Sequence, residues 1–169
     1  MRPALCMGAM THADGKATHE RTTFRMRYGV AIDIAAPPAR VWSLLTHADD
    51  FPRWNSTVSS IAGEIAVGQK LVLRVPYSDR AFNLRVEQAE APGTEGSARM
   101  VWGDGMAAAF RGERTFTLQA AGEGTRVEMV EVFRGLMLPM IAGSLPDFAP
   151  HFEAYARDLK REAEGEMNG

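Results

Sequence analysis

An arginine and a glutamate in the second half of the chain could do chemistry, because their spacing places them side by side on adjacent strands. Residues 121–124 (AGEG) form a turn between two alternating segments. If the strands pair across this turn, Phe116 faces Met129 and Arg114 faces Glu131. The Phe116–Met129 pair is apolar, so this side of both strands is expected to face the core. Arg114 and Glu131 are then predicted to point inward, directly opposite each other.

The inward charge pair has two interpretations. Removing two charges from water is unfavourable unless they bond to each other or are reached by water. In the first interpretation, Arg114 and Glu131 form a structural pair that ties two strands together. In the second, the pair lines a partly hydrated cavity and orients the polar end of a ligand. Inward charge pairs mark functional sites only in some proteins, so the residues alone leave both interpretations open.

A long amphipathic helix is predicted over residues 145–164. Asp147 suits its capping position, and Pro150 fits only in the first turn, where its missing N–H is not needed. The charged residues from Asp158 onward are expected to face water. Three aromatic rings on one helix need a broad apolar surface, which the rest of the chain must supply. The apolar stripe consists of Phe148, Phe152, Tyr155, Ala156 and Leu159.

The segments before this helix alternate apolar and polar residues, which is typical of half-buried strands. Turn-rich spacers join successive segments, and this arrangement indicates an antiparallel sheet. Helical signals occur only after the first strand, where a short apolar helix ends near His47 and a turn or broken second helix follows. The result is an α+β fold with seven strands. The predicted strands are residues 28–34, 56–64, 71–75, 82–86, 98–102, 110–118 and 127–133.

Length and composition indicate one globular domain. The chain has 169 residues, 46% of them hydrophobic, and a formal net charge of −2. Its charges are mixed along the chain, without the basic stripe of a nucleic-acid-binding protein or a polybasic run for an anionic membrane. Residues 1–25 have no hydrophobic period and are expected to form a flexible arm, followed by a domain over residues 26–165. Cys6 has no partner cysteine, so no intrachain disulfide is expected.

The sequence lacks the common motifs for membrane insertion, secretion, metal binding, nucleotide binding and hydrolysis. It contains no apolar run of the roughly 18 residues that span a membrane, and its first residues lack a sustained hydrophobic core for a secretory signal. It also lacks HExxH and clustered carboxylates for a metal, GxGxxG or a P-loop for a nucleotide, and GxSxG for a hydrolase. We therefore expect a cytoplasmic monomer or homodimer that uses no metal and no cofactor.

Several stretches, taken together, resemble the START-like superfamily, also called SRPBCC or birch-pollen-allergen-like. The likeness is strongest to its bacterial polyketide cyclase/dehydrase and ligand-binding branch, and it covers about residues 27–164. The order and spacing of the motifs carry the resemblance, since each motif alone is weak. The matching pieces are IDIAAPPARVWSLLTHADDFPRWN, GEIAVGQKL, VEQAEAPG, MVWGDG, TFTL, GTRVEMVEVFRG and ARDLKREAE.

The resemblance implies a helix-grip fold, in which a curved seven-stranded antiparallel sheet wraps around the C-terminal helix and two short helices close one end. The cavity between sheet and helix usually takes an apolar or amphipathic molecule. Glu131, Phe133 and Gly135 match the family's E-x-F-x-G element. Arg114 stands where relatives often carry histidine, and arginine cannot act as a general base at useful pH. It suits holding a carboxylate or phenolate instead.

Candidate site residues follow from the inward faces of the strands and from the helix stripe. Glu131, His151 and Tyr155 are the only candidates for proton transfer, and each is a weak one. The candidate ligand-binding residues are Arg114, Glu131, Met100, Trp102, Phe110, Phe116, Met129, Phe148, Phe152 and Tyr155.

Three functions remain open at this point. The first is a binding protein for a small hydrophobic molecule such as a lipid, polyketide or aromatic metabolite. The second is a polyketide cyclase or dehydratase, in which Arg114 would stabilise an enolate. The third is a protein-interaction module of the chaperone-cofactor kind. A cavity with one ion pair favours the first, a second inward acid or base favours the second, and a closed core with an exposed apolar patch elsewhere favours the third.

Overall fold

The computed structural model describes residues 12–106 and 108–165, and a single antiparallel sheet of eight strands is their main element. Its strand order is β1-β2-β8-β7-β6-β5-β4-β3, so every neighbouring pair is sequential except β2 and β8. The strands are β1 (Asp14–Arg21), β2 (Arg25–Ile34), β3 (Ser60–Ala62), β4 (Lys70–Val75), β5 (Ser78–Glu90), β6 (Ala98–Met106), β7 (Phe110–Ala121) and β8 (Gly124–Arg134).

Four helices accompany the sheet. Two of them, α1 (Pro38–Thr46) and α2 (Phe51–Trp54), lie between β2 and β3 as predicted. The short helix α3 (Leu138–Ile141) was not predicted, because a single turn is too brief to give a helical period. The long helix α4 (Ala149–Gly165) follows it. Within the described ranges, no helix is long and apolar enough to cross a membrane.

The predicted number of seven strands is wrong, because an eighth strand, β1, lies within the segment expected to be a flexible arm. The outer edge of β1 is solvated and most of its side chains are exposed, so its sequence lacks an apolar period. Pairing with β2 and one bond to α4 hold it in place, since the Ala17 N–H donates to Glu153 Oε1 at 3.0 Å. Residues 1–11, with Cys6, lie outside the described residues.

The register predicted for the last two strands is confirmed. Arg114 lies opposite Glu131, and Phe116 lies opposite Met129, which places the apolar pair in the core. Helix α4 contacts β1 and β2 and buries most of its apolar stripe against the sheet. The fully or nearly fully buried members of that stripe are Phe152, Tyr155, Ala156 and Leu159.

Of two expectations about the polar residues of α4, one is confirmed and one is wrong. Asp147 caps the helix as predicted, because its Oδ1 accepts the Ala149 N–H at 3.0 Å. Asp158 does not face water, since it is only 3% exposed. Its Oδ2 accepts the backbone N–H and the hydroxyl of Ser56, at 2.8 and 2.5 Å. The carboxylate therefore ties α4 to the loop after α2, which a helical period alone could not reveal.

Candidate functional site

The Arg114–Glu131 pair lies at the centre of the sheet and is largely removed from water. The Arg114 Nε donates to Glu131 Oε2 at 2.7 Å, and Nη2 donates to the same oxygen. The two side chains are only 14% and 15% exposed. Burial favours loss of the Arg114 charge, but the neighbouring Glu131 carboxylate opposes this and raises the pKa of Arg114 above its usual value. Both interpretations of the pair predicted this contact.

Helix α4 holds Arg114 from its other side. The guanidinium carbon lies 5.1 Å from the centroid of the Phe152 ring, within the range of a cation–π contact. Two directed bonds to Glu131 and one ring face therefore fix the planar guanidinium. A lysine could not reproduce this combination, because its ammonium has no flat face to lie on the ring.

A small cavity opens beside this arginine, between helix α4 and the sheet. Its volume is about 20 Å³, which is room for about one water molecule. Strands β4, β7 and β8 and the β4–β5 turn contribute to its wall. Five of its ten lining residues are apolar, and the other five carry the polar groups that decide what it could bind. The apolar lining consists of Val58, Leu73, Val75, Met129 and Phe152, and the polar lining consists of Thr57, Tyr77, Arg114, His151 and Tyr155.

The hydroxyl of Tyr155 is the unusual polar group of this cavity. Tyr155 is 3% exposed, and its hydroxyl has no hydrogen-bond partner among the described residues. Burial raises the pKa of the phenol, and the nearby Arg114 charge offsets only part of this rise. Tyr155 is therefore a protonated donor without an acceptor. A buried unpaired hydroxyl costs about 1–3 kcal/mol, so its presence beside a cavity calls for an explanation.

Two stacked rings form the outer wall of the cavity. The rings of Tyr77 and His151 lie 3.8 Å apart with an interplanar angle of 22°. Tyr77 is 38% exposed, so this side of the cavity is the one nearest to solvent. Burial lowers the pKa of His151, and the charge of Asp147 opposes the shift. The imidazole is therefore mainly neutral at pH 7, and the stack forms the mouth of the cavity.

A second cavity, called the inner cavity below, lies on the other side of two shared residues. It has a volume of about 10 Å³ and is apolar. Met129 and Tyr155 line both cavities, so together they form the partition between them. Methionine has three rotatable side-chain bonds and adapts easily to a changed neighbour. A change in the Met129 rotamer is the simplest way to join the two spaces.

The predicted site residues fall into three groups. Arg114, Met129, Phe152 and Tyr155 line the outer cavity, with His151 at its mouth, while Phe116 lines the inner one. Glu131 reaches the site through its bond to Arg114. Four others line neither cavity. Met100 and Trp102 are buried in the core, and Phe110 and Phe148 pack around Phe133.

Sequence reasoning missed the contribution of the β4–β5 hairpin. Leu73, Val75 and Tyr77 line the cavity, although only the strands were recognised in the sequence. The available signal was an aromatic residue directly after Pro76, at a turn between two alternating segments. Aromatic residues are unusual in tight turns, and this one covers the mouth.

Metal chemistry finds no support in the described part of the chain. Residues 12–106 and 108–165 contain no group of three or more histidine, cysteine, aspartate or glutamate side chains that could hold a metal ion. The polar groups at the outer cavity are the arginine–glutamate pair, two tyrosines, one histidine and one threonine.

Solved structures share this fold at low sequence identity. Norcoclaurine synthase from Thalictrum flavum matches with a TM-score of 0.63 at 10% identity, covering 88% of this chain and 99% of that one. The di-domain ARO/CYC protein StfQ of the steffimycin biosynthetic pathway gives 0.63 at 13% identity, over 87% of this chain and 54% of that one. A START superfamily protein from Mycobacterium smegmatis gives 0.54 at 16% identity, over 88% and 99%. At these identities the likeness establishes the fold alone.

Sequence comparison adds the family. Among curated proteins no match is found. Residues 21–164 match the family described as "Polyketide cyclase / dehydrase and lipid transport". This match runs from the end of β1 nearly to the end of α4, so it includes both cavities and the ion pair. The chain is therefore a member of this polyketide cyclase/dehydrase and lipid transport family.

Proposed function

We propose that the protein binds a small amphipathic molecule between the sheet and helix α4, with the polar end of that molecule at Tyr155 and Arg114. The observation that carries the proposal is the buried Tyr155 hydroxyl, which has no partner among the described residues and belongs to a side chain that lines both cavities. The apolar walls would supply most of the affinity, and the hydroxyl would fix the orientation. The family description and the fold are consistent with ligand binding.

The polar end of the ligand is a neutral hydrogen-bond acceptor in this proposal. Glu131 already balances the charge of Arg114, whose Nε and Nη2 both donate to one oxygen of that carboxylate. A ligand carboxylate would have to displace Glu131 or lie beside it, and either arrangement is unfavourable at low dielectric. A ketone or ester oxygen needs no counter-ion. It could accept the Tyr155 hydroxyl and leave the ion pair intact.

Ligand binding must enlarge the site. Ligand cavities of folded proteins commonly measure roughly 300–1,000 Å³, far more than the two small spaces beside α4. Met129 separates those spaces, and the Tyr77–His151 stack closes the outer one. Rearrangement of these three side chains would open a path from solvent to the inner apolar cavity. We therefore propose that the ligand displaces the Met129 side chain and parts the stacked rings.

The direct test compares wild type with Tyr155→Phe, using methyl nonyl ketone as the probe and undecane as the control. Loss of one neutral hydrogen bond corresponds to about 0.5–1.5 kcal/mol, so ketone affinity should fall roughly two- to twelvefold. Undecane affinity should not change, because the phenyl ring keeps the apolar wall. Methyl resonances of Met129 and Val58 in NMR titrations report the binding. The same variant should unfold no more easily than wild type, since its hydroxyl has no partner.

Two results would contradict the binding proposal. One is the absence of any shift at Met129 and Val58 with either probe. The other is equal ketone affinity of wild type and Tyr155→Phe, which would separate the hydroxyl from recognition. Undecanoate serves as a third probe, and binding tighter than that of the ketone would argue against a neutral acceptor.

A cyclase- or dehydratase-type activity is the second candidate, and the neutral imidazole of His151 is the observation in its favour. Burial lowers the pKa of His151, so the ring can accept a proton at pH 7, and it lines the same cavity as Arg114. Its test is exchange of the α-hydrogens of methyl nonyl ketone for deuterium in D₂O. Faster exchange with wild type than with His151→Phe would support catalysis. Equal rates would contradict catalysis by His151 and leave ligand binding as the supported function.

The cellular context of the protein also belongs to the proposal. We infer a cytoplasmic monomer or homodimer from the charge pattern and the sequence, as predicted above. Fractionation of the host cells and size-exclusion chromatography with light scattering test these two points.

A further inference from the structure

Exposed apolar side chains gather at one end of the sheet. Among the described residues, seven large hydrophobic side chains are exposed, and six of them lie in the turns and connections at the end where β2, β5 and β7 begin and β4, β6 and β8 finish. The seventh, Val67, precedes β4 and therefore lies at the other end of that strand. The six are Phe24, Tyr77, Met106, Leu136, Met137 and Met140, and we call them the apolar rim.

Backbone bonds join the connections that carry the rim. The Gly135 N–H donates to the Phe24 carbonyl at 3.2 Å, which links the segment after β8 to the β1–β2 turn. The Leu136 N–H donates to the Ala108 carbonyl, also at 3.2 Å, which links the same segment to the β6–β7 connection. Tyr77 adds the β4–β5 turn and is also half of the ring stack over the cavity. The rim therefore lies at the end of the sheet where the Tyr77–His151 stack closes the cavity.

The charges near the rim are arranged in layers. Residues 135–146, GLMLPMIAGSLP, include no charged side chain. Immediately behind them, Arg25, Arg134 and Arg111 lie directly opposite one another on β2, β8 and β7. Glu113 bonds to both Arg111 and Arg134, and Glu87 also pairs with Arg111, while no ion pair is found for Arg25 in the described part of the chain. An uncharged tip is thus backed by three arginines and two carboxylates, which leaves one positive charge in excess.

We propose that the apolar rim docks on the surface of a lipid bilayer. The rim side chains would enter the boundary between headgroups and acyl chains, and the arginine row would lie at the depth of the phosphates. The layering matches a bilayer, where an apolar zone lies under an anionic one. The sequence has no polybasic run, and only the pairing of three strands brings these arginines together. Docking on a bilayer is useful to the protein only if the proposed function holds. A ligand with an apolar body could then pass directly between the bilayer and the cavity.

The position of the rim favours a bilayer over a protein partner. An apolar patch remote from the cavity would suit a separate interaction surface, but this patch includes Tyr77, which lines the cavity at its mouth. Four of its six members are methionine or leucine residues, namely Met106, Leu136, Met137 and Met140. Such side chains fit a fluid apolar phase without needing a complementary shape.

The test is sedimentation of the full-length protein with vesicles of equal parts phosphatidylcholine and phosphatidylglycerol. The variant Leu136→Ser with Met140→Ser should bind at least about tenfold more weakly, because two exposed apolar side chains are removed without a change of charge. The matched control is Val67→Ser, an exposed apolar residue at the other end of β4, which should bind as wild type does. Arg25→Gln should weaken binding to these vesicles but not to vesicles of phosphatidylcholine alone.

Three outcomes would overturn the proposal. They are the absence of wild-type binding, an equal loss in Val67→Ser, and a wild-type dimer that the rim variant turns into a monomer, which would make the rim a self-association surface. Binding of methyl nonyl ketone without vesicles separates this proposal from the proposed function. If the rim variant keeps its ketone affinity but no longer binds vesicles, both proposals stand. If wild type binds vesicles but no ketone, only the proposed function fails.

Discussion

The Arg114–Glu131 pair is best understood as an arrangement that fixes one cation next to the outer cavity. A largely buried ion pair adds little net stability, because the desolvation of both groups offsets their attraction. Removal of one partner is different, since it leaves an unpaired charge in a site that water hardly reaches. The two bonds to Glu131 and the Phe152 ring hold the guanidinium in one place. At the level of single residues, the pair therefore matters more for position than for stability.

Glu131→Gln should lower the free energy of unfolding by about 3 kcal/mol, because the Arg114 charge loses its counter-ion in a site that water hardly reaches. Urea denaturation at pH 7 measures the change. Glu128→Gln on the same strand is the control, since Glu128 is 39% exposed in its pair with Arg27 and should contribute within about 1 kcal/mol. Equal effects of the two variants would contradict the account. The double variant Arg114→Met with Glu131→Leu should recover most of the loss.

The Tyr77–His151 stack makes a prediction about pH. Burial lowers the pKa of His151 in the folded protein, so the unfolded chain binds its proton more readily, and folding stability should decline as pH falls below the ordinary histidine value of about 6.5. In NMR titrations the His151 pKa should lie below that value. Tyr77→Ala uncovers the ring and should raise the pKa towards the ordinary value. A His151 pKa that is identical in both proteins would show that Tyr77 does not shield the His151 ring from water.

At the scale of elements, α4 is attached to the sheet by more than its apolar stripe. The Asp158 carboxylate reaches the Ser56 backbone and also pairs with Arg161, at 3.0 Å between Oδ1 and Nη1. Glu153 receives the Ala17 N–H from β1. These polar contacts lie on both sides of the apolar stripe. They fix the rotation of the helix and hence the position of Tyr155 in the cavity.

Asp158→Ala should lower the free energy of unfolding by about 1–3 kcal/mol, because two donors of Ser56 lose their acceptor. Arg157→Ala, an exposed neighbour on the same helix, should change it by no more than about 0.5 kcal/mol. Thermal or urea unfolding followed by circular dichroism distinguishes the two. If Asp158→Ala is as stable as Arg157→Ala, the carboxylate is not a link between α4 and the loop after α2.

The strands and their register show how much of the fold could be predicted from the sequence. Alternating segments with a clear apolar period, such as β7 and β8, were predicted with the correct register, which brought Arg114 opposite Glu131. Strand β1 was missed because an edge strand with mostly exposed residues has no such period. Tyr77 was missed because its role depends on a turn folding over α4. Local patterns specify strands and faces, whereas the wall of a cavity depends on contacts between distant segments.

At the scale of the whole molecule, the two small cavities and the apolar rim belong to one system. The cavities lie between the sheet and α4, and the rim lies at the end of the sheet where Tyr77 and His151 close the mouth. Under the proposed function, the described structure is the closed form of a site that opens by moving a few side chains. Met129 has the central position, because it borders both spaces.

Native mass spectrometry of the protein purified from its own host tests the central claim most directly. Wild type is compared with Met129→Phe, in which a rigid ring fills the partition between the two cavities, after circular dichroism has shown that both are folded. The account predicts a small-molecule adduct on wild type that is lost from Met129→Phe. No adduct on wild type, or the same adduct on both proteins, would contradict a ligand site between the sheet and helix α4.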